Sequence, residues 1–500
     1  MSSVTVEKAH PPFAIGIDIG TSNVRAVVFD RLGCQVAGLS AHRGHGLRTT
    51  AQGAAELEPD RVLDLVWQCL DEVHAGIRAR GLRVSAVGLC SLVGNILGVD
   101  KRFRPLTPVY TYADTRGKED ADWLSRNLDK ESVRQRTGCP FHPAYLPVRL
   151  RWLERTDPGT FRKVARWISI GEYLEWHHFG ETAVSCSVAS WSGLLDRHRC
   201  DWDDLLLECI GLERAKLSPV NRPGEPREGL TRGCARRWPL LEAVPWFPAI
   251  GDGAAANIGT GCVSEGRAAL TVGTTSAVRV VVEGCVPTIP KGLWCYLVDR
   301  RRSLPGGALT EGGNVAVWLR ETLGFGEARA LDAARAAVGP DAHGLTVLPF
   351  LAGERSPGWS EDARGGLYGL RLSTTPADIV RAFSEAIAYR IASVLEILES
   401  IVPSKVEIIA AGGAVKDSPV WLQIIADVLG RPVTVSEVHE PSARGAALLA
   451  LEQQGLLAGL EEAPVFAGRV FIPDESLHSV YRRARQRQEE FYKRLVETPL

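Results

Sequence analysis

The chain has 500 residues, 45% hydrophobic and 23% charged, and its 58 Lys and Arg against 59 Asp and Glu leave a formal net charge of −1. At about 150 residues per domain this predicts two to four domains, and the even charge balance argues against a mainly electrostatic grip on nucleic acid. The longest apolar stretches, such as residues 408–411 and 278–282, fall far short of the roughly 20 residues that cross a bilayer, so no membrane partner is expected.

Residues 1–12 carry Glu7, Lys8 and His10 and no apolar h-region, which argues against a secretory signal and for a cytoplasmic protein. Residues 13–19 form an apolar run, Gly20-Thr21-Ser22-Asn23 a turn, and residues 24–29 a second β-rich run. This is a hairpin pattern. Residues 60–80 place Leu63, Val66, Leu70, Val73 and Ile77 at helical spacing with Gly81 as a stop, and residues 84–90 read as a buried strand. The stretches at 219–229 and 287–292 are rich in Pro and Gly and read as loops.

The hairpin pattern returns in residues 268–272, Gly273-Thr274-Thr275-Ser276 and residues 277–282. Aligning Gly20 with Gly273 matches Thr21 with Thr274, Val27 with Val280 and Val28 with Val281. A duplicated chain is expected, its halves meeting near residue 250. Thr375-Pro376-Ala377-Asp378 opens a long helix that Pro403 closes. Residues 406–411 form a strand, Gly412-Gly413 a turn, and Ser418-Pro419 a helix start that ends at Gly430. Residues 481–495 read as a solvated terminal helix. The class is α/β. Eleven cysteines without a C-x-x-C pair suit reduced thiols, and no zinc-ligand spacing surrounds the histidines.

The first turn offers small residues, backbone N–H groups and hydroxyls to a phosphate, and Asp18 could hold the hydration waters of a phosphate-bound Mg²⁺. An ordinary hairpin whose Asp caps its own backbone is the alternative. The turn is neither a Walker A loop, lacking G-x-x-x-x-G-K-[ST], nor a Rossmann fingerprint, because a strand follows it. Two such turns could pinch a triphosphate across a cleft, with Gly412-Gly413 as a resting place for adenine or a phosphate near a helix N-terminus. Asp252, between Gly251 and Gly253, is the candidate general base for a substrate hydroxyl; a helix N-cap is the plainer reading. Asn95, Tyr112, Asp114 and Arg116 offer the aromatic faces and bidentate donors a small sugar needs, unless Asp114 and Arg116 form a structural pair.

On these residues the sequence resembles the FGGY family of carbohydrate kinases over roughly residues 13–455. Asp18, Gly20, Thr21, Ser22 and Arg25 match its D-x-G-T-[ST]-x-x-[KR] phosphate motif; Gly273, Thr274 and Thr275 are similar to its second phosphate motif, and Gly412 and Gly413 to its adenosine motif. Asp252 falls where the family keeps its base. The resemblance implies an α/β fold of two ribonuclease H-like, actin/hexokinase-like ATPase domains around a central cleft. Residues 12–249 would bind sugar and carry the first phosphate motif, 250–460 would bind ATP, and 461–500 would add a loop and a helix. It further implies Mg²⁺ and, as a family-level expectation, a homodimer.

Residues 136–143, 149–153, 168–174 and 188–194 look most like gluconokinases. Val93-Gly94-Asn95 and Tyr112 depart from that branch at the sugar side, and Arg149 stands where a lysine is usual. The expected activity is phosphoryl transfer from ATP to a primary hydroxyl of a small sugar or sugar acid, gluconate first. Pentulose and polyol kinases (xylulose, ribulose, erythritol) are the alternative, and a non-catalytic sugar sensor or an actin- or chaperone-like ATPase the remote ones.

Overall fold

The computed structural model describes residues 2–221, 225–416 and 418–497. Residues 222–224 of the expected loop and 498–500 of the terminal extension lie outside the described residues. In the first half, β1 (Phe13–Ile19), β2 (Asn23–Phe29) and β3 (Gln35–Gly44) form an antiparallel meander. Helix α1 (Pro59–Arg80) and β4 (Val84–Ser91) follow. Next come α2 (Leu146–Thr156), α3 (Ile170–Phe179), α4 (Cys186–Ser190), β5 (Trp246–Gly251) and α5 (Asp252–Gly259). The sheet order is β3-β2-β1-β4-β5, with β4 parallel to both β1 and β5. Every residue of β1 is buried, as befits a strand covered on both faces. The helix read from its apolar period is α1, which packs on β2 and β3 and ends at Gly81 with φ 63°.

The second half begins with β6 (Arg267–Val272), β7 (Ser276–Val280), β8 (Trp294–Leu297) and β9 (Arg302–Leu309). Helices α6 (Gly313–Thr322), α7 (Ala328–Ala337) and α8 (Pro376–Glu399) lead to β10 (Glu407–Ala411) and α9 (Pro419–Leu429). Then come β11 (Val433–Ser436), α10 (Pro441–Gln453), β12 (Ala467–Phe471) and α11 (Glu475–Tyr492). Its sheet runs β9-β7-β6-β10-β11-β12, and its first five strands repeat the order and directions of the first sheet. The duplication is thus real, but its residue alignment needs a shift. Ile19 faces Val24 across the first turn, whereas Val272 faces Ser276 across the second, so the second turn is one residue shorter. Val24 corresponds to Ser276, and Val27 to Arg279 rather than to Val280.

Thr375 and Asp378 close the expected capping box at the start of α8. The terminal extension departs from a loop and a solvated helix: β12 adds an edge strand beside β11, and α11 buries Tyr481, Ala484, Gln488 and Tyr492. Among the described residues no helix is long and apolar enough to cross a membrane.

Helix α10 leaves the second sheet, lies against β1 and β4 of the first, and crosses α5. A Cβ on Gly16 or Gly88 would stand 2.0 Å from the carbonyl oxygen of Ala443 or Ala446. One on Gly259 or Gly445 would stand 1.8 Å from that of Pro441 or Ala255. The two halves therefore meet backbone to backbone. Added methylenes in a packed interior typically cost about 1–3 kcal/mol, and opposing backbone cannot rotate away. Gly445→Ala is expected to lower the calorimetric unfolding midpoint by several degrees. Gly46→Ala, with nothing within 4 Å of the new methyl, is expected to leave it nearly unchanged.

Candidate active site

Strand β5 ends at Gly251 and Asp252 opens α5. Both neighbouring glycines are steric necessities, because the Trp191 indole lies against them: a Cβ on Gly251 would come within 2.6 Å of Trp191 Nε1, and one on Gly253 within 2.9 Å of its ring. The Gly251 N–H donates to Ser187 Oγ at 3.1 Å and the Gly253 N–H to Asp252 Oδ1 at 2.8 Å. Burial pushes the Asp252 carboxyl up to about 6, with Asp18 adding to the shift and Arg279 opposing it. Asp18, at the end of β1, is also raised by burial, against the pull of Arg25 and the Cys90 thiol. Arg25 reaches Asp18 Oδ2 with Nη1 at 3.1 Å and Glu440 with Nε at 3.1 Å. Glu440 immediately precedes α10, so this chain of charges spans both halves.

The turn at Gly20 is closed by its N–H donating to the Asn23 carbonyl at 2.8 Å and by His45 on the Gly20 carbonyl at 3.1 Å. Thr21 is half-buried and Ser22 exposed, where Asn23 Nδ2 donates to its hydroxyl at 2.9 Å. In the second turn the first amides of α6 hold the carbonyls, Gly313 N to Gly273 O at 2.8 Å and Asn314 N to Thr274 O at 3.1 Å. Ser276 Oγ donates to the Glu311 carbonyl at 2.7 Å. Gly412 has φ 108°, and a Cβ there would stand 2.2 Å from the Val272 carbonyl oxygen, so the position accepts only glycine. Gly273, Thr274 and Gly413 share the lining of a cavity of about 420 Å³ with Asn314, Val317 and Arg320 of α6.

Thr275 lines a second cavity, of about 160 Å³, together with Asp252 and Tyr112. A cavity of about 150 Å³ is enough to admit benzene, so this one takes a small molecule. Its walls are aromatic. Trp191 stacks on Tyr296 at 3.7 Å, Tyr296 on Trp294 at 4.2 Å, and the Tyr145 and Tyr296 hydroxyls meet at 2.6 Å. His142, Arg279, Arg355 and Trp359 complete the wall.

A carboxylate in a small-molecule cavity, beside two hydroxyl-bearing glycine turns of a duplicated fold, is an arrangement with known counterparts. Residues 13–259 match the N-terminal domain of the FGGY family of carbohydrate kinases, and residues 268–452 match its C-terminal domain. The chain belongs to this family. It is 28% identical to a gluconokinase of Bacillus subtilis (strain 168), covering 94% of this chain and 93% of that one. A gluconate kinase structure from Lactobacillus acidophilus superposes with a TM-score of 0.89 at 25% identity, over 96% of this chain and 97% of that one. A ligand-bound xylulose kinase from the same species also gives 0.89 at 25% identity, over 97% and 99%. The protein is therefore a carbohydrate kinase with the actin/hexokinase-like ATPase fold.

Of the sugar-side residues picked out in the sequence, Tyr112 lines the cavity of this FGGY kinase, whereas Asn95, Asp114 and Arg116 are not among its lining residues. Asn95 is spent on backbone, donating to Leu92 O at 2.6 Å and accepting from Ile170 N at 2.8 Å. Asp114 is fully buried, pairs with Arg116 at 2.5 Å and accepts from Ala55 N at 3.3 Å. Arg116 also pairs with Glu56 at 2.6 Å and lies 4.5 Å over the Trp152 ring. The structural pair weighed above is the arrangement present. Arg149 completes the frame by donating to the carbonyls of Thr111, Asp114 and Pro143 at 2.9, 2.8 and 2.7 Å, which fixes the segments carrying Tyr112 and His142.

Arg279, Arg355, His142, Trp191 and Trp359 were missed as cavity residues. His142 and Trp191 lie in runs that match the family, but no spacing links either to Asp252.

An acid whose pKa is raised by folding holds its proton longer in the native state. Its ionisation therefore works against folding as the pH climbs from about 4 through 6, and the penalty is complete above that, at most about 3 kcal/mol. Asp252→Asn is expected to raise the unfolding midpoint at pH 8, a gain that fades toward pH 4 in calorimetric scans across that range.

Proposed function

We propose that this kinase transfers the γ-phosphoryl group of Mg-ATP to a primary hydroxyl of a small sugar or sugar acid, with gluconate the first substrate to test. The observation that supports it most is Asp252, a carboxylate raised by burial that opens on the small-molecule cavity between two residues without side chains. In this reading Asp252 accepts the hydroxyl proton as the sugar oxygen bonds to the γ-phosphorus, the bond to the bridging oxygen breaks, and ADP leaves. Gly20, Thr21, Ser22, Gly273, Thr274 and Thr275 hold the phosphates, and Gly412 and Gly413 the nucleoside at the larger cavity. Tyr112 meets the sugar, while Asn95, Asp114 and Arg116 brace the loops behind it.

The buried Asp18 and the half-buried Asp252, in one another's field, are a hard-oxygen donor set that suits Mg²⁺, with Asp18 holding it through hydration waters and Arg25 orienting Asp18. When bound, Mg²⁺ supplies charge compensation to the phosphates. Residues 12–249 provide the sugar side and the first phosphate turn, and residues 250–460 the ATP side. The gluconokinase and gluconate kinase likenesses favour gluconate; the equal TM-score to a xylulose kinase makes a pentulose the alternative.

A coupled ADP-release assay with Mg-ATP and gluconate, xylulose, ribulose, glycerol and erythritol tests this reading. One sugar is expected to raise turnover well above the sugar-free rate, and Asp252→Asn to remove about 10²- to 10⁴-fold of it. Slow ATP turnover indifferent to every sugar and to Asp252 would falsify the reading. Because the base must be ionised and sits near 6, kcat/KM is expected to fall about tenfold per unit below pH 6.

A further inference from the structure

The cavity beside Asp252 holds more hydrogen-bond donors than its own acceptors satisfy. Arg279 reaches from β7 and gives Nη1 to Thr271 Oγ1 at 3.3 Å, but its Nε is buried without a partner. Arg355 gives Nη2 to the Leu309 carbonyl at 2.8 Å, and its Nε is buried and unpartnered too. Trp191 Nε1 is a third buried donor with no acceptor. Among the described residues no carboxylate forms an ion pair with either guanidinium, and Arg279 lies in the fields of both Asp252 and Arg355.

The remaining groups do not balance this charge. The Tyr145 and Tyr296 hydroxyls are tied to each other. His142 takes the Ala144 N–H on Nδ1 at 3.1 Å, and burial, with Arg355 and Arg149 nearby, holds its pKa down to about 3, so it is neutral. Asp252 is the one carboxylate among the described lining residues, and it faces two cations. Both arginines are half-buried and line the cavity, each with a buried Nε left over, and a guanidinium fork matches a planar carboxylate.

We infer that Arg279 and Arg355 form the receptor for a substrate carboxylate, which makes sugar acids, rather than ketoses or polyols, the substrate class of this site. The inference rests on the kinase reading above and adds its specificity-determining residues. Both arginines line the cavity with Asp252, and Arg279 acts on the Asp252 carboxyl. The substrate carboxylate belongs on the guanidinium donors and the hydroxyl to be phosphorylated at Asp252, which keeps the two like charges of substrate and base apart.

Gluconate and glucitol differ only in a carboxylate against a hydroxymethyl group, so the pair isolates the contact. Trp191, Trp294 and Trp359 line the cavity, and their fluorescence reports binding without ATP. Gluconate is expected to bind the full-length protein about ten- to a hundredfold more tightly than glucitol, the range of a charge-assisted contact. Arg355→Gln and Arg279→Gln are each expected to erase most of that preference, raising KM for gluconate more than they lower kcat. Arg355→Lys, which keeps the charge but loses the fork, is expected to retain part of the preference. Thermal midpoints show whether each variant is folded. If glucitol or xylulose binds as tightly as gluconate, or if folded variants lower turnover of acidic and neutral sugars alike, the carboxylate receptor is overturned. Absence of sugar-dependent ADP release with any substrate would instead remove the kinase reading, and the fluorescence preference would still decide the anion site.

Discussion

The active site depends on two helices touching without side chains between them. Where α5 crosses α10, Gly259 lies against the Pro441 carbonyl and Gly445 against the Ala255 carbonyl, and Gly16 and Gly88 let α10 settle onto the first sheet in the same way. Backbone contact of this kind has little give, because a packed interior accommodates a changed volume only by moving its elements. Both helices begin at the cleft. Asp252 opens α5, and Glu440, one residue before α10, meets Arg25, which in turn holds Asp18. The spacing of the two carboxylates is thus set by the seam between the halves.

Around this seam the protein keeps charge in places where charge is expensive. Asp252, Arg279 and Arg355 share a cavity with the stacked rings of Trp191, Trp294 and Tyr296, and neither arginine's Nε has a partner. The strain is local, since the frame behind the cavity is fully bonded. Arg149 ties three carbonyls, Asn95 bridges two backbone groups, and Arg116 joins Asp114 to Glu56. Donors and acids left unpaired in a site whose surroundings are satisfied are ready to stabilise an incoming polar ligand without reorganising. Between the halves, Lys118 meets Asp362 at 2.6 Å. An exposed pair of this kind contributes at most about 1 kcal/mol, so it does not lock the halves together.

Much of the architecture could be read from short stretches of sequence. The hairpin at Gly20, helix α1 with its Gly81 stop, the Thr375 capping box and the repeat at Gly273 each depend on neighbouring residues. Asp252 stood out for a related reason, since glycine on both sides of an acid is a pattern visible without a fold. The terminal helix was misjudged because its buried face, with Tyr481 accepting from Arg381 at 2.6 Å, depends on an element a hundred residues away. The repeat was aligned one residue out because a turn length shows only when the strands on either side are paired.

The sequence by itself determined the α/β class, the duplication, the two hydroxyl-bearing glycine turns and the glycine-flanked Asp252, because each lies in contiguous residues whose chemistry is local. Only the tertiary structure decided which side chains share the cavity. Asp114 and Arg116 looked like ligand residues but satisfy each other, while Arg279 and Arg355, unremarkable in sequence, face Asp252's cavity with donors unspent. That distinction turns on whether a polar group has already found its partner. Partners drawn from residues 112 to 359 come together only when both halves have folded against the glycine seam.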